Sequence, residues 1–103
     1  MIGIGKYKVD IDHMFFKGEA IFEIEFKNGN YEFEIEIENA DFDMDITITE
    51  FEEDEDTLDA KATVAILPGK EIDVHLTFDD DGCNGYLKIP FVGKIKIKDA
   101  VKI

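Results

Sequence analysis

The sequence predicts an all-β chain: a single antiparallel up-and-down meander of about eight strands closed into a barrel, with a β-sandwich as the alternative. Three observations predict it. Apolar and polar residues alternate with a period of two from end to end, as where Tyr31, Phe33, Ile35 and Ile37 interleave with Glu32, Glu34, Glu36 and Glu38. Turn signals separate the alternating runs and pair them so that apolar residues face apolar ones. Every connection is short, which makes neighbours in sequence neighbours in space. With no linker or composition break, residues 1–103 form one domain.

The strands fall at about 4–12, 19–27, 30–38, 41–51, 57–66, 71–78, 83–91 and 94–102. The first carries Tyr7, Val9 and Ile11 on its apolar face. The second and third meet at Asn28-Gly29, a type I′ signal, and a two-residue turn there pairs Phe26 with Tyr31, Ile24 with Phe33 and Phe22 with Ile35. A turn at Asn39-Ala40 pairs Ile37 with Phe42, Ile35 with Met44 and Phe33 with Ile46. At Thr49-Glu50-Phe51-Glu52 the alternation falters and acids gather up to Asp56. The expectation is a solvated turn with Phe51 brought inward by a bulge, and a short helix over 50–57 is the alternative. Pro68-Gly69 turns into the sixth strand. A four-residue loop at 79–82 then pairs Phe78 with Cys83, Leu76 with Gly85, Val74 with Leu87 and Ile72 with Ile89. Gly93 turns into the last strand, which carries Ile95 and Ile97. Closing the eighth strand on the first removes both exposed edges. The longest connection, 12–19, holds Met14, Phe15 and Phe16, which are expected to fold over a barrel end as a lid or plug.

Composition narrows the function classes. With 25 Asp plus Glu, 11 Lys and no Arg, the net charge is −14, which argues against nucleic acid as a partner. No apolar run is long enough for a membrane-spanning helix and no signal peptide opens the chain. A lone cysteine fits a cytoplasmic protein.

No catalytic constellation emerges. The chain contains no serine, and the register puts His75 outward, opposite Tyr86, while Cys83 faces inward. His75 is therefore not placed to deprotonate Cys83. His13 lies near Asp10 and Asp12 without ordered zinc spacing. Gly3-Ile4-Gly5 lacks the rest of a dinucleotide fingerprint. Aligning Gly82 with the glycine of a calcium loop puts Lys88 where a bidentate Glu belongs, so Asp79-Asp80-Asp81-Gly82 reads as a polar hairpin turn. No enzyme, metal or cofactor is expected.

Charge is distributed unevenly. Residues 19–56 carry sixteen Asp or Glu and one Lys, a net of −15, whereas 82–103 carry five Lys and only Asp99, a net of +4. The registers align Glu23, Glu34 and Asp45 in a row across three strands, with Glu25 beside Glu32 and Glu36 beside Asp43. This is an acidic wall on strands 2 to 4, and mutual repulsion is expected to raise the pKa of some of its carboxylates. Lys6 and Lys8 would extend a Lys-rich stripe from strand 8 onto strand 1. Opposite-sign surfaces suggest homo-oligomers.

Gly5-Lys6-Tyr7 in the first strand, together with the long 12–19 loop and eight short up-and-down strands, resembles the lipocalin-like group of calycin barrels, with Tyr7 where that group usually carries Trp. The resemblance implies a lumen able to take a small apolar molecule, with the 12–19 loop near its mouth. The predicted interior is crowded with Phe22, Phe26, Tyr31, Phe33, Phe42, Phe78 and Phe91. Ala60, Ala62 and Gly85 leave room, and Tyr7, Tyr31 and Cys83 supply polar handles. The functional expectation is a non-enzymatic barrel binding a small apolar ligand near Tyr7, Tyr31, Ala60, Ala62 and Cys83. The alternative is an interaction or scaffold domain using the acidic wall or the Lys stripe.

Overall fold

A computed structural model describes residues 2–13, 17–37, 43–64, 69–91 and 93–103. The described residues form eight antiparallel strands in a closed barrel whose strand order follows the sequence. They are β1 (Gly5–Asp12), β2 (Lys17–Lys27), β3 (Asn30–Ile37), β4 (Asp43–Asp54), β5 (Thr57–Val64), β6 (Ile72–Phe78), β7 (Gly82–Ile89) and β8 (Gly93–Lys102). Closure comes from β1 against β8, with Tyr7 opposite Lys102 and Lys8 opposite Val101, and the Ile103 amide donates to the Lys6 carbonyl at 2.9 Å. Among the described residues, no helix is long and apolar enough to cross a membrane.

Local turn chemistry sets the registers. Asn28 and Gly29 both adopt positive φ, 54° and 81°, and the ladder beyond them pairs Phe26 with Tyr31, Ile24 with Phe33 and Phe22 with Ile35. The pairs Ile35–Met44, Phe33–Ile46, Phe78–Cys83, Leu76–Gly85 and Val74–Leu87 also form as expected. The 79–82 loop closes on the Asp79 carboxylate, which accepts from the Asp81 and Gly82 amides at 2.8 Å each. The expected Ile37–Phe42 pair, the Asn39-Ala40 turn, Pro68 and the lid residues Met14, Phe15 and Phe16 lie outside the described residues.

Alternate residues fill the interior. Ile24, Leu58, Ala62 and Ile72 are wholly buried, and the described residues leave no polar or charged residue buried. Each large aliphatic side chain placed there is worth about 1.5–3 kcal/mol in area removed from water.

Two expectations need correction. The segment after Thr49 is neither a solvated turn nor a helix. β4 runs on to Asp54 through the expected bulge, which lies between Ile48 and Glu50, and turns only at Glu55, with φ 54°. The extra residue shifts the alternation, so that Phe51 falls opposite Ala60 and Glu53 opposite Leu58. Phe91, expected inside, is 84% exposed. β7 ends at Ile89, Pro90 has no amide to continue the ladder, and Phe91 turns outward at φ 70° with the Lys70 ammonium over its ring.

Candidate functional site

The hydroxyls of the two interior tyrosines both bond the backbone of Ile2 and Gly3 at one end of the barrel, where the β2–β3, β4–β5 and β6–β7 turns also lie. Tyr7, in β1, stacks on Phe22 with ring centroids 5.0 Å apart and donates its hydroxyl to the Gly3 carbonyl at 3.0 Å. Tyr31, in β3, packs edge-on against Phe26 and Phe51. Its hydroxyl donates to Glu53 Oε1 at 2.7 Å and accepts from the Ile2 amide at 2.8 Å. Two of the three polar handles of the expected ligand lumen, the hydroxyls, thus hold the chain's own backbone at Ile2 and Gly3. Glu53, absent from the sequence-based site, reaches this end because the bulge in β4 puts it on the inner face. The inward step at Phe51 was the available signal.

Burial raises the pKa of both tyrosines to about 12. Neighbouring Cys83 and Asp79 reinforce the effect at Tyr7, and the hydrogen bond to Glu53 does so at Tyr31. Burial, with Asp79 nearby, likewise pushes the Cys83 thiol up to about 12. Cys83 is therefore an inert thiol on the inner wall, 1% exposed. Ala60 and Ala62 are buried, and Phe51 opposite Ala60 sets large against small. Deeper in the lumen, a void of about 10 Å³ is lined by Phe22, Phe33, Ile35, Leu76, Leu87 and Ile97. That is scarcely room for one water, and none of the lining side chains can hydrogen-bond to it.

Outside the barrel, the β5–β6 ladder sets Asp59 opposite His75, and the carboxylate contacts His75 Nδ1 at 2.5 Å. The imidazole stacks on Tyr86, as the register of β6 and β7 requires, and Lys94 Nζ lies 4.3 Å from the Tyr86 ring centre. A carboxylate-oriented imidazole is part of a proton-transfer device, but Cys83 faces the other side of the sheet and no serine exists. Among the described residues, no group of three or more His, Cys, Asp or Glu is arranged to hold a metal.

The acidic wall assembles in the expected register. Glu23, Glu34 and Asp45 align across β2, β3 and β4, Glu25 lies opposite Glu32, and Glu36 opposite Asp43. A concavity of about 300 Å³ crosses it, lined in part by Glu23, Glu25, Glu32 and Glu34. The expected rise in carboxylate pKa fails at Glu25, which is lowered. Lys27 Nζ lies 2.6 Å from Glu25 and 3.9 Å from Glu32, and Glu23 adds a hydrogen bond. Its contribution is present above the ordinary carboxylate value and is lost as pH falls through the lowered one, so acidification removes stability at this pair. Lys6 and Lys8 reach Glu23 and Glu19 at 3.9 and 3.2 Å. Glu34 and Asp45 are left as a like-charge cross-strand pair by the register. Glu34→Gln with Asp45→Asn should raise stability by about 0.5 kcal/mol at low salt and by nothing measurable at high salt, read from urea midpoints. Equal midpoints for variant and parent at low salt would make the wall a solvated surface.

On the opposite side, Lys88 in β7 lies across from Lys94 in β8, and Tyr86 across from Lys96. β3 and β7 are four strands apart in a ring of eight, so the two like-charge surfaces sit on opposite walls. Among the described residues, Lys88, Lys94, Lys96 and Lys98 form no ion pair.

The fold is an eight-stranded antiparallel closed barrel. Over 100% of this chain and 98% of the other, it is similar to the crystal structure of secretory abundant heat soluble protein 4 from Ramazzottius varieornatus, with a TM-score of 0.62 and 12% sequence identity. That likeness is one of fold. No protein-family model and no curated protein matches the sequence.

Proposed function

We propose that this chain is a non-enzymatic interaction domain that associates weakly with further copies of itself, the Lys-rich wall of one barrel against the acidic wall of the next. The observation that carries the reading is the pair of like-charge cross-strand arrangements on opposite walls, Glu23–Glu34–Asp45 and Lys88–Lys94. Contact between the two walls would set opposite charges against each other. Because the two walls face away from each other, such contacts do not close into a dimer and generate open chains. The net charge of −14 opposes approach at long range, which keeps the association weak.

Sedimentation equilibrium tests it. At low ionic strength the average mass should rise above the 11.7 kDa monomer as concentration increases, and return to it near 0.15 M salt, where screening falls to about 8 Å. Lys88→Glu with Lys94→Glu should remain monomeric throughout. A parent that is monomeric at low salt and high concentration would sink the proposal.

The second reading is a small apolar ligand in the lumen, with Met14, Phe15 and Phe16 as its lid. Its support is that the buried Tyr7, Tyr31, Ala60, Ala62 and Cys83 all belong to one apolar interior cluster. It requires the interior to open well beyond the present void of about 10 Å³. Native mass spectrometry of protein purified from its own host would reveal such a ligand as a discrete added mass.

A further inference from the structure

Residues 2–4 lie across the tyrosine end of the barrel outside any ladder, since β1 begins at Gly5. The barrel treats this strap as a receptor treats a peptide. Glu53 accepts a hydrogen bond from the Tyr31 hydroxyl, which fixes its rotor and turns a lone pair toward the Ile2 amide. Tyr7 does the reverse, donating to the Gly3 carbonyl. The end therefore offers one acceptor and one donor, matched to an N–H and a C=O one residue apart. Ile2 packs against the core cluster as an aliphatic anchor. At Gly3, φ is +75° and a Cβ would lie 2.3 Å from Cζ of the Phe78 ring, so only glycine fits there.

Among the described residues, the strap is held by two hydrogen bonds, one partly buried isoleucine and the contact of Gly3 with the Phe78 ring. Segments secured so lightly open at low cost compared with global unfolding. Opening would free the Phe78 ring beside Gly3 and the hydroxyls of Tyr7 and Tyr31, the latter flanked by Phe26 and Phe51, and apolar walls with a few placed polar groups are typical of a binding pocket. We propose that this end of the barrel is a recognition site for a short extended peptide carrying an aliphatic residue followed by glycine, occupied here by the chain's own residues 2–4. Tethering gives the strap a high effective concentration, so an outside peptide binds only when the strap is displaced.

The experiment uses the whole chain and the peptide acetyl-Ile-Gly-Ile-amide at millimolar concentration, followed by NMR shifts of Tyr7 and Tyr31. Two variants displace the strap: Gly3→Val, by collision with Phe78, and Ile2→Asp, by loss of the anchor and repulsion from Glu53. The variants should bind the peptide at least about tenfold more tightly than the parent, and the same peptide with valine in place of glycine should bind at least about tenfold more weakly than the glycine peptide. Adding Tyr31→Phe to either variant should abolish binding. Folded variants that ignore the peptide, or that accept the valine peptide equally, would overturn the proposal. So would failure of both variants to fold, because the strap would then be part of the fold and not a displaceable occupant.

Discussion

Gly85→Ala is expected to remove at least about 3 kcal/mol of stability, a fall in melting temperature of roughly 10–20 °C for a domain of this size. At Gly85 the missing Cβ would lie 1.9 Å from the His75 carbonyl oxygen and 2.9 Å from the Leu76 Cα. Both obstacles are backbone, so no side-chain rotation relieves them. Gly85 also follows a register shift in the β7–β8 ladder, where it lies opposite Ile97 on one side and Leu76 on the other. Moving it disturbs both ladders. Gly29→Ala is the control. It has positive φ but nothing within 4 Å, so it carries backbone strain alone, about 1 kcal/mol. Thermal unfolding followed by circular dichroism separates the two, and a loss at Gly85 no larger than at Gly29 would refute the close-approach argument.

The second large effect is alkaline unfolding. Tyr7 and Tyr31 titrate near 12 in the folded chain against an ordinary 10.0, and Cys83 near 12 against 9.0. In each case burial of the neutral form is the leading cause. The stabilising contribution of a raised acid is complete below the unfolded pKa and disappears as pH rises through the folded one. Stability should therefore hold up to about pH 9 and fall increasingly steeply to about pH 12. All three losses run in the same direction, so they accumulate across this range. Urea midpoints measured across this range should show the decline, and Tyr7→Phe with Tyr31→Phe should make it shallower while lowering stability at neutral pH through three lost hydrogen bonds. A parent as stable at pH 11 as at pH 8 would contradict this account of the buried hydroxyls.

The strand order, the registers at Asn28-Gly29 and at the 79–82 loop, and the facing of Glu23, Glu34, His75 and Cys83 were all determined by the sequence. Period-two alternation and turn geometry act between residues close along the chain, so a one-residue slip would have turned every apolar side chain into water. Even the stacking of His75 on Tyr86 follows from that register. Other features depended on local backbone geometry or on contacts between residues far apart. Pro90 and a positive φ put Phe91 outside, although its position in the alternation favoured the interior. Lys27 and Lys6 turned part of the acidic wall from repulsive to paired, through side-chain reach that alternation does not encode. The bulge in β4 put Glu53 on the inner face, where it meets a tyrosine 22 residues away. Tyr7 and Tyr31 read from the sequence as ligand handles, because a hydroxyl's partner is fixed only when the barrel closes. Closure brought residues 2–4 over the tyrosine end, and with them the one amide and one carbonyl that these hydroxyls hold.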